Sequence, residues 1–349
     1  MTEAGALTRR APASKTCRVS RPLSIRPRAI PSFLVAAACA AAAGVAPLPA
    51  APAHAAESGF AFLRLPVSTR SAGMGETGVS FLQGAEAFHI NPSGLSDPAG
   101  EMQSSARWGA VAEASLAHHE AFGNLRQDAV VLVLGKRSES VGLSFNTLYS
   151  EAIDQRDEVG TLVGSFGATS YDARLAYSYR FASGWRVGVS GGYIYERVAE
   201  ATAHTWGFGL GAAWAVPSVP GLSLGAAVRN LGGSAQFDVD GSKGEDVSLP
   251  LTTQAGLSYA GRLGEDLTWL AAADVRKAAD DDATGHAGAE LKWSAVSLRL
   301  GSRLGTDVGS FTAGVGLVAG KFRFDYAYLP SGEEIGNSHR AELSARFGM

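Results

Sequence analysis

From about residue 101 onward, apolar and polar side chains alternate with a period of two, the repeat of extended strands whose two faces differ. Phe322, Phe324, Tyr326 and Tyr328 share one parity; Lys321, Arg323, Asp325 and Ala327 share the other. After a short polar turn, Ala341, Leu343, Ala345 and Phe347 oppose Arg340, Glu342, Ser344 and Arg346. The same split sets Tyr171, Ala173, Leu175, Tyr177, Tyr179 and Phe181 against Asp172, Arg174, Ser178 and Arg180. Val296, Leu298 and Leu300 oppose Ser297, Arg299 and Gly301, while Trp206, Phe208, Leu210, Ala212 and Trp214 oppose mostly Gly and Ala. Only Ala129 to Leu134 is apolar on both parities and gives no facing.

Fourteen strands are predicted, near 101–109, 125–135, 140–149, 169–182, 185–199, 202–216, 221–230, 250–261, 266–277, 284–294, 295–304, 309–319, 321–329 and 338–347. Their connections alternate in length. Long ones fall at 110–124, 150–168, 231–249 and 331–337, with short turns such as Lys136–Glu139, Ser183–Gly184, Pro217–Pro220 and Arg262–Glu265 between them. Residues 112–119 are assigned to loop, because a further strand there breaks the alternation. A soluble sandwich also alternates, but it buries its greasy face against a second sheet and has no reason for alternating loops. A membrane barrel turns aromatics to lipid and charge to the lumen, with short turns on one side and long loops on the other. The fold class expected is therefore all-β: a transmembrane antiparallel β-barrel of about 14 strands over residues 99–349. Trp185, Tyr193, Tyr195, Trp206, Trp214, Tyr328 and Phe347 lie near strand ends, as the girdle residues of such barrels do.

Residues 56–98 do not alternate. Gly73 and Gly75, flanking Met74, permit tight turns, and Asn91-Pro92, followed by Gly94, starts a turn that ends any preceding helix. Phe60, Phe62, Leu63, Leu65, Phe81, Leu82, Phe88 and Ile90 are costly to leave in water. The expectation is a hatch or plug inside the lumen. Residues 1–55 read as a Sec signal peptide, with seven Lys and Arg residues, an apolar stretch from Phe33 to Ala46, and a small-x-small site at Ala53-His54-Ala55.

That leader contains both cysteines, Cys17 and Cys39, so disulfide and thiol chemistry are excluded from the rest. It also carries seven of the 30 Lys and Arg residues and one of the 33 Asp and Glu, leaving about −9 on the remainder. A surplus of that sign argues against nucleic acid as a partner.

Arg70-Ser-Ala-Gly-Met-Gly75, Ala85-Glu-Ala-Phe-His-Ile-Asn-Pro-Ser-Gly-Leu95, Asp325-Tyr-Ala-Tyr328 and His339-Arg-Ala-Glu-Leu-Ser-Ala-Arg-Phe347 resemble the PorV/PorQ family. So do Gly184-Trp-Arg-Val-Gly-Val189, Tyr193-Ile-Tyr-Glu-Arg197, Leu222-Ser-Leu-Gly225 and Arg229-Asn-Leu-Gly232. That family lies within the FadL/TodX group of outer-membrane long-chain fatty-acid transporters. The resemblance runs from about residue 60 to the end and implies a 14-stranded barrel whose N-terminal hatch carries the Asn91-Pro92 turn. The chain departs in three places. The family's Asn-Pro-Ala-Gly stands as Asn91-Pro-Ser-Gly94. Gly348-Met349 follow Phe347, which bears on recognition by the barrel assembly machinery. No Pro or Gly pair in 140–149 demands the kinked wall strand that FadL opens to lipid.

No catalytic set, cofactor site or metal site is expected. His118-His119 is placed in the first outer loop and matches no zinc spacing. Asp280-Asp281-Asp282 and His286 read as a solvated charged loop, and no Gly-x-Ser-x-Gly or phosphate loop occurs. The lumen charges Asp172, Arg174, Arg180, Arg299, Arg323, Asp325, Arg340 and Glu342 read as an ion-pair ladder that stiffens the wall and holds the hatch. Three functions stay open at this point. One is a hatch-gated channel for hydrophobic or amphipathic small molecules. The second is a PorV-like barrel that binds secreted cargo proteins in type IX secretion, and the third is a structural barrel. In each, the expected partners are outer-membrane lipid and the barrel assembly machinery.

Overall fold

The computed structural model describes residues 59–96, 110–121, 125–136, 138–306, 311–330 and 336–348. Strands β1 (Ala110–Glu120), β2 (Leu125–Lys136) and β3 (Glu139–Ser150) open the wall; β4 (Ile153–Arg156) and β5 (Leu162–Phe166) make a hairpin within the next loop. The wall resumes with β6 (Ala168–Arg180), β7 (Trp185–Val198), β8 (Ala201–Ala215) and β9 (Leu222–Gly232). A second loop hairpin, β10 (Ala235–Val239) with β11 (Ser242–Val247), follows. Then come β12 (Thr252–Leu263), β13 (Leu267–Ala278), β14 (Thr284–Trp293), β15 (Val296–Leu304), β16 (Phe311–Ala319), β17 (Phe322–Pro330) and β18 (Asn337–Gly348). Every neighbouring pair is antiparallel. β8 pairs with β9, and β1 pairs with both β2 and β18, so fourteen wall strands close on themselves and leave no free edge. At 9 to 15 residues each, they have the length a tilted membrane strand requires.

The first strand corrects the reading of the sequence. The segment 101–109 lies outside the described residues, and the wall begins with Ala110–Glu120, which the pattern had assigned to loop. Its alternation is faint because Ala112 and Ala114 on the outer face contrast little with their neighbours, whereas Glu113, Ser115 and His119 point inward and are buried. The described wall strands still number fourteen. Phe347 consequently pairs with Ala112, and His118 and His119 lie on β1 opposite Ala341 and Arg340.

Facing follows the period of two throughout. Leu116, Leu132, Leu143, Leu175, Phe208, Leu298, Phe324 and Leu343 are among many large apolar side chains exposed on the outer surface. Within the ambiguous apolar run, Val130, Leu132 and Leu134 face out, while Ala129, Val131 and Val133 pack inward on the plug. Aromatics band both rims. Trp185 stacks on Trp214 at the short-turn end, with ring centroids 5.3 Å apart. Tyr171, Tyr193, Tyr195 and Trp206 cluster toward the long-loop end.

Candidate functional site: the lumen and its plug

Residues 59–96 thread the lumen. At the long-loop end, Phe60 stacks on Phe237 of the β10–β11 hairpin, and Phe60 and Phe62 join Ile194, Ala203 and Leu249 in a buried cluster. Midway, a single helical turn, α1 (Thr69–Gly73), is capped by the Ser68 side chain and lies against β16 and β17. Toward the short-turn end, the Pro92–Leu95 turn rests on β6, β7 and β8. A backbone this deeply buried must place its N–H and C=O groups. The inward-facing side chains of the wall receive many of them.

The Gly73-Met74-Gly75 segment is seated by absent side chains. Gly75 has φ +69, and a Cβ there would meet backbone atoms of Ala287 and Ser302 at 2.5–2.7 Å. From the wall side, a Cβ on Gly301 would stand 1.9 Å from the Gly75 nitrogen. A Cβ on Gly73 would meet the Gly314 Cα at 3.1 Å, and Met74 is fully buried in the plug core with Val79 and Leu82. The Gly75 N–H donates to Thr312 Oγ1 at 2.9 Å, while its carbonyl lies 2.7 Å from His286 Nδ1.

Asn91 makes the second anchor. Its Nδ2 donates to Val79 O at 2.6 Å and to Ala212 O of β8 at 3.1 Å, and its Oδ1 accepts from the Ser93 N–H and hydroxyl. One side chain thus caps the Pro92 turn, ties two parts of the plug together and binds the wall. A Cβ on Gly94 would lie 2.4 Å from Leu82 O. Ser178 of β6 donates to Ser93 O at 2.9 Å, and its Oγ lies 3.0 Å from that of Ser96.

Between these anchors lies a closed ring of six charges. Arg70 forks onto Glu290 at 2.9 and 2.6 Å; Glu290 accepts from Arg299 Nε at 2.6 Å. Arg299 Nη1 reaches Asp325 at 2.6 Å, and Asp325 accepts from Arg323 Nε at 2.7 Å. Arg323 Nη2 approaches Glu86 within 2.6 Å as an ion pair off hydrogen-bond alignment, and Glu86 returns to Arg70 Nη1 at 3.4 Å. Three guanidinium groups meet three carboxylates, so the ring is neutral. Arg70 and Glu86 belong to the plug; the other four belong to β14, β15 and β17. Arg299 must cross β16 to reach Asp325. Gly316 leaves the gap, since a Cβ there would sit 2.6 Å from Arg299 Nη2 and 2.7 Å from Asp325 Oδ1.

The remaining predicted lumen charges divide. Glu342 accepts from the Thr69 N–H at 3.0 Å and from Ser115 Oγ at 2.6 Å. Arg340 donates to Pro66 O and lies 3.4 Å from His119 Nδ1. Asp172 and Arg174 pair within β6 at 2.6 Å, and Arg174 also donates to Asn230 at 3.1 Å. Arg180 is half-buried at the end of β6, outside the ring.

Several residues that join the plug to the wall escaped the sequence reading. Asp274 accepts from the Gly78 and Val79 N–H groups and from Gln254. Glu113 accepts from the Ala85 N–H and from Arg346. Glu76 pairs with Arg276 at 2.7 Å and Arg303 at 2.9 Å. Burial alone would raise the Glu76 carboxyl, but those two arginines hold it down to about 2. Burial, with Arg174 and Arg229 nearby, keeps the His89 imidazole down to about 3. Inward parity flags Asp274 and Glu113 as lumen residues; nothing local names their backbone partners in the plug.

The groups weighed for chemistry have structural partners. His118 faces outward beside Asp128 at 2.6 Å, whereas His119 is buried against Gln127 and Thr69. His286 lies on β14, within the predicted strand 284–294, and Asp280 pairs with Arg64 of the plug. Among the described residues no cluster of His, Cys, Asp or Glu could hold a metal ion.

The plug separates two cavities. One of about 40 Å³, enough for a few waters, lies on the long-loop side among Leu65, His89, Arg174, Arg229 and Asn230. The other, about 500 Å³, opens at the short-turn end beneath Phe81 and the ion ring.

A closed fourteen-strand wall with a lipid-suited exterior and a polar lumen holding an N-terminal plug defines an outer-membrane type of β-barrel. Neither family models nor curated proteins match the sequence. Solved structures do match the fold. The chain is similar to the toluene transporter TodX of Pseudomonas putida, with TM-score 0.54 and 13% identity over 80% of this chain and 96% of that one. The toluene transporter TbuX of Ralstonia pickettii gives TM-score 0.53 and 13% identity, over 80% and 96%. The monoaromatic hydrocarbon channel CymD gives 0.55 and 12%, over 81% and 97%. At these identities the likeness is one of fold.

Proposed function

We propose that this protein is a passive outer-membrane channel for hydrophobic or amphipathic small molecules, gated by displacement of its N-terminal plug. The observation that carries this reading is how the plug is held. Its backbone is seated on glycines and its polar groups meet lumen side chains, so it can leave and return without breaking the wall. Its apolar side chains pack in several separate small clusters against the wall, and a neutral ring of charges spans the join. The shared fold with TodX, TbuX and CymD supports the same reading. On it, the chain is exported through Sec, inserted by the barrel assembly machinery acting on the closing strand β18, and belongs with PorV/PorQ-type members of the FadL/TodX group.

The test exploits the absence of cysteine after residue 39. In S96C/S178C the two sulfurs replace hydroxyl oxygens 3.0 Å apart, within reach of a disulfide after small adjustment. Oxidised, this variant should lose uptake of labelled toluene into cells or vesicles, and reduction should restore it. Uptake unaffected by the crosslink would refute gating by the plug. Loss of secreted surface proteins on gene deletion, with uptake intact, would favour cargo binding instead.

A further inference from the structure

The smaller cavity, on the long-loop side, lies where the wall departs from its register. Leu231 pairs with Phe208 and Val228 with Leu210, so Arg229 and Asn230 of β9 both stand opposite Gly209 of β8. The extra residue makes a bulge, with Asn230 at φ +59, and a bulge re-aims side chains. Here it brings both Arg229 and Asn230 to the cavity. Asn230 accepts from Arg174 and donates to Pro250 O, each at 3.1 Å. Arg229 meets only neutral acceptors: Nη1 donates to His89 O at 2.9 Å and Nη2 to Gln254 Oε1 at 3.1 Å. Gln254 keeps it apart from Asp274, to which its own Nε2 donates at 2.9 Å. Arg276 lies cross-strand from Gln254, so two guanidinium groups flank one amide. Of the arginines lining the cavity, Arg64, Arg174 and Arg276 have carboxylate partners. Arg229 has none within ion-pair distance among the described residues, and the Glu76 that meets Arg276 is shared with Arg303.

We propose that this cavity binds a single halide ion, seated between Arg229 and Arg276, and that the ion pins the plug to the wall. Each Arg229 Nη keeps a second hydrogen to donate, and the side chain is half-buried, so it reaches the cavity. Leu65 and Ile90 on the lining lower the surrounding dielectric, where such contacts are strong. A space of about 40 Å³ takes an ion the size of a water molecule and excludes an organic body. The plug supplies Leu65, Glu76, His89 and Ile90, while the wall supplies both arginines, so the site is complete only when the plug is seated. Binding itself does not rest on the channel reading.

The test is amide hydrogen exchange on the full chain refolded in zwitterionic detergent, in sodium chloride against sodium gluconate at equal ionic strength. An ion that binds only the seated plug with a dissociation constant of about 10 mM slows exchange across residues 85–91 about tenfold at about 100 mM chloride. R229Q should exchange at one rate in both salts, whatever that rate is, and K292Q, which removes a positive charge at the short-turn end, should respond as the wild type does. Equal rates in the two salts for the wild type overturn the proposal, as does a full chloride effect in R229Q. If R229Q fails to regain heat-modifiable gel mobility, R276Q takes its place. Crystals grown in sodium bromide give a second measurement: an anomalous peak beside Arg229 and Arg276 is expected, and peaks only elsewhere refute the site. A chloride effect with no toluene flux in vesicles keeps this site and removes the channel reading; flux with no chloride effect does the reverse.

Discussion

Arg70 offers the sharpest perturbation, because it is the plug's main hold on the ion ring. Its fork meets both oxygens of Glu290, its third nitrogen faces Glu86, and its guanidinium lies 5.4 Å from the Phe81 ring centroid. In Arg70→Ala, three carboxylates face two guanidinium groups, and Glu290 and Glu86 stay almost wholly buried. Breaking a buried pair by removing one partner costs about 3–5 kcal/mol. Water in the adjoining cavity reaches Arg70, which is about one-fifth exposed, so a cost of about 2–3 kcal/mol is the better expectation. That shifts the seated-to-unseated balance of the plug by roughly 30- to 150-fold. Amide hydrogen exchange read by mass spectrometry should show it as faster exchange across residues 71–79, with β2 and β6 unchanged. Arg64→Ala is the matched control, since its pairs with Asp280 and Asp281 are partly solvated and should contribute less than about 1 kcal/mol. If plug amides exchange as in the wild type while the whole barrel loses heat stability, the ring belongs to the wall and the reasoning fails.

Acid should loosen the plug through two groups. The Glu76 carboxyl ionises at about 2 when seated, against 4.5 when free, so its contribution is complete above pH 4.5 and disappears as pH falls toward 2. The His89 imidazole is held to about 3 from an ordinary 6.5, so protonation favours the unseated plug progressively below pH 6.5. Plug exchange, corrected for intrinsic rates, should therefore rise from pH 7 to 5 in the wild type and stay flat in His89→Gln; a pH-independent wild type would contradict this. On the outer wall, Leu132 is 45% exposed while its neighbour Val131 is 3% exposed. Leu132→Arg places a charge in lipid and should cost about 2–4 kcal/mol in urea refolding into vesicles. Wild-type stability in that variant would mean that the surface does not face lipid.

Much of this architecture was legible along the chain because a strand's facing is a local property. Phe322 to Tyr328 and Asp172 to Arg180 face as their alternation predicts. The failure at Ala110–Glu120 is also physical: alanine on the lipid face carries too little contrast to mark a strand, and loop parity then argued the wrong way. The plug was readable as apolar residues needing cover, and Gly73, Gly75, Asn91 and Pro92 as turn residues. That Asn91 would reach Ala212, or Gly75 rest against Gly301, was not.

By itself, then, the sequence determined the wall strands other than the first, which of their side chains point outward, and that the segment around 59–96 needed a buried place, because periodicity and apolar content act over a few residues. Only the tertiary structure decided who meets whom. The ring through Arg70, Glu290, Arg299, Asp325, Arg323 and Glu86 joins positions more than 200 residues apart. It exists because register aligns charges on β14, β15 and β17, because Gly316 of the intervening β16 leaves room, and because the plug brings Arg70 and Glu86 to them inside the lumen. A pairing of that kind depends on distances that no local repeat encodes.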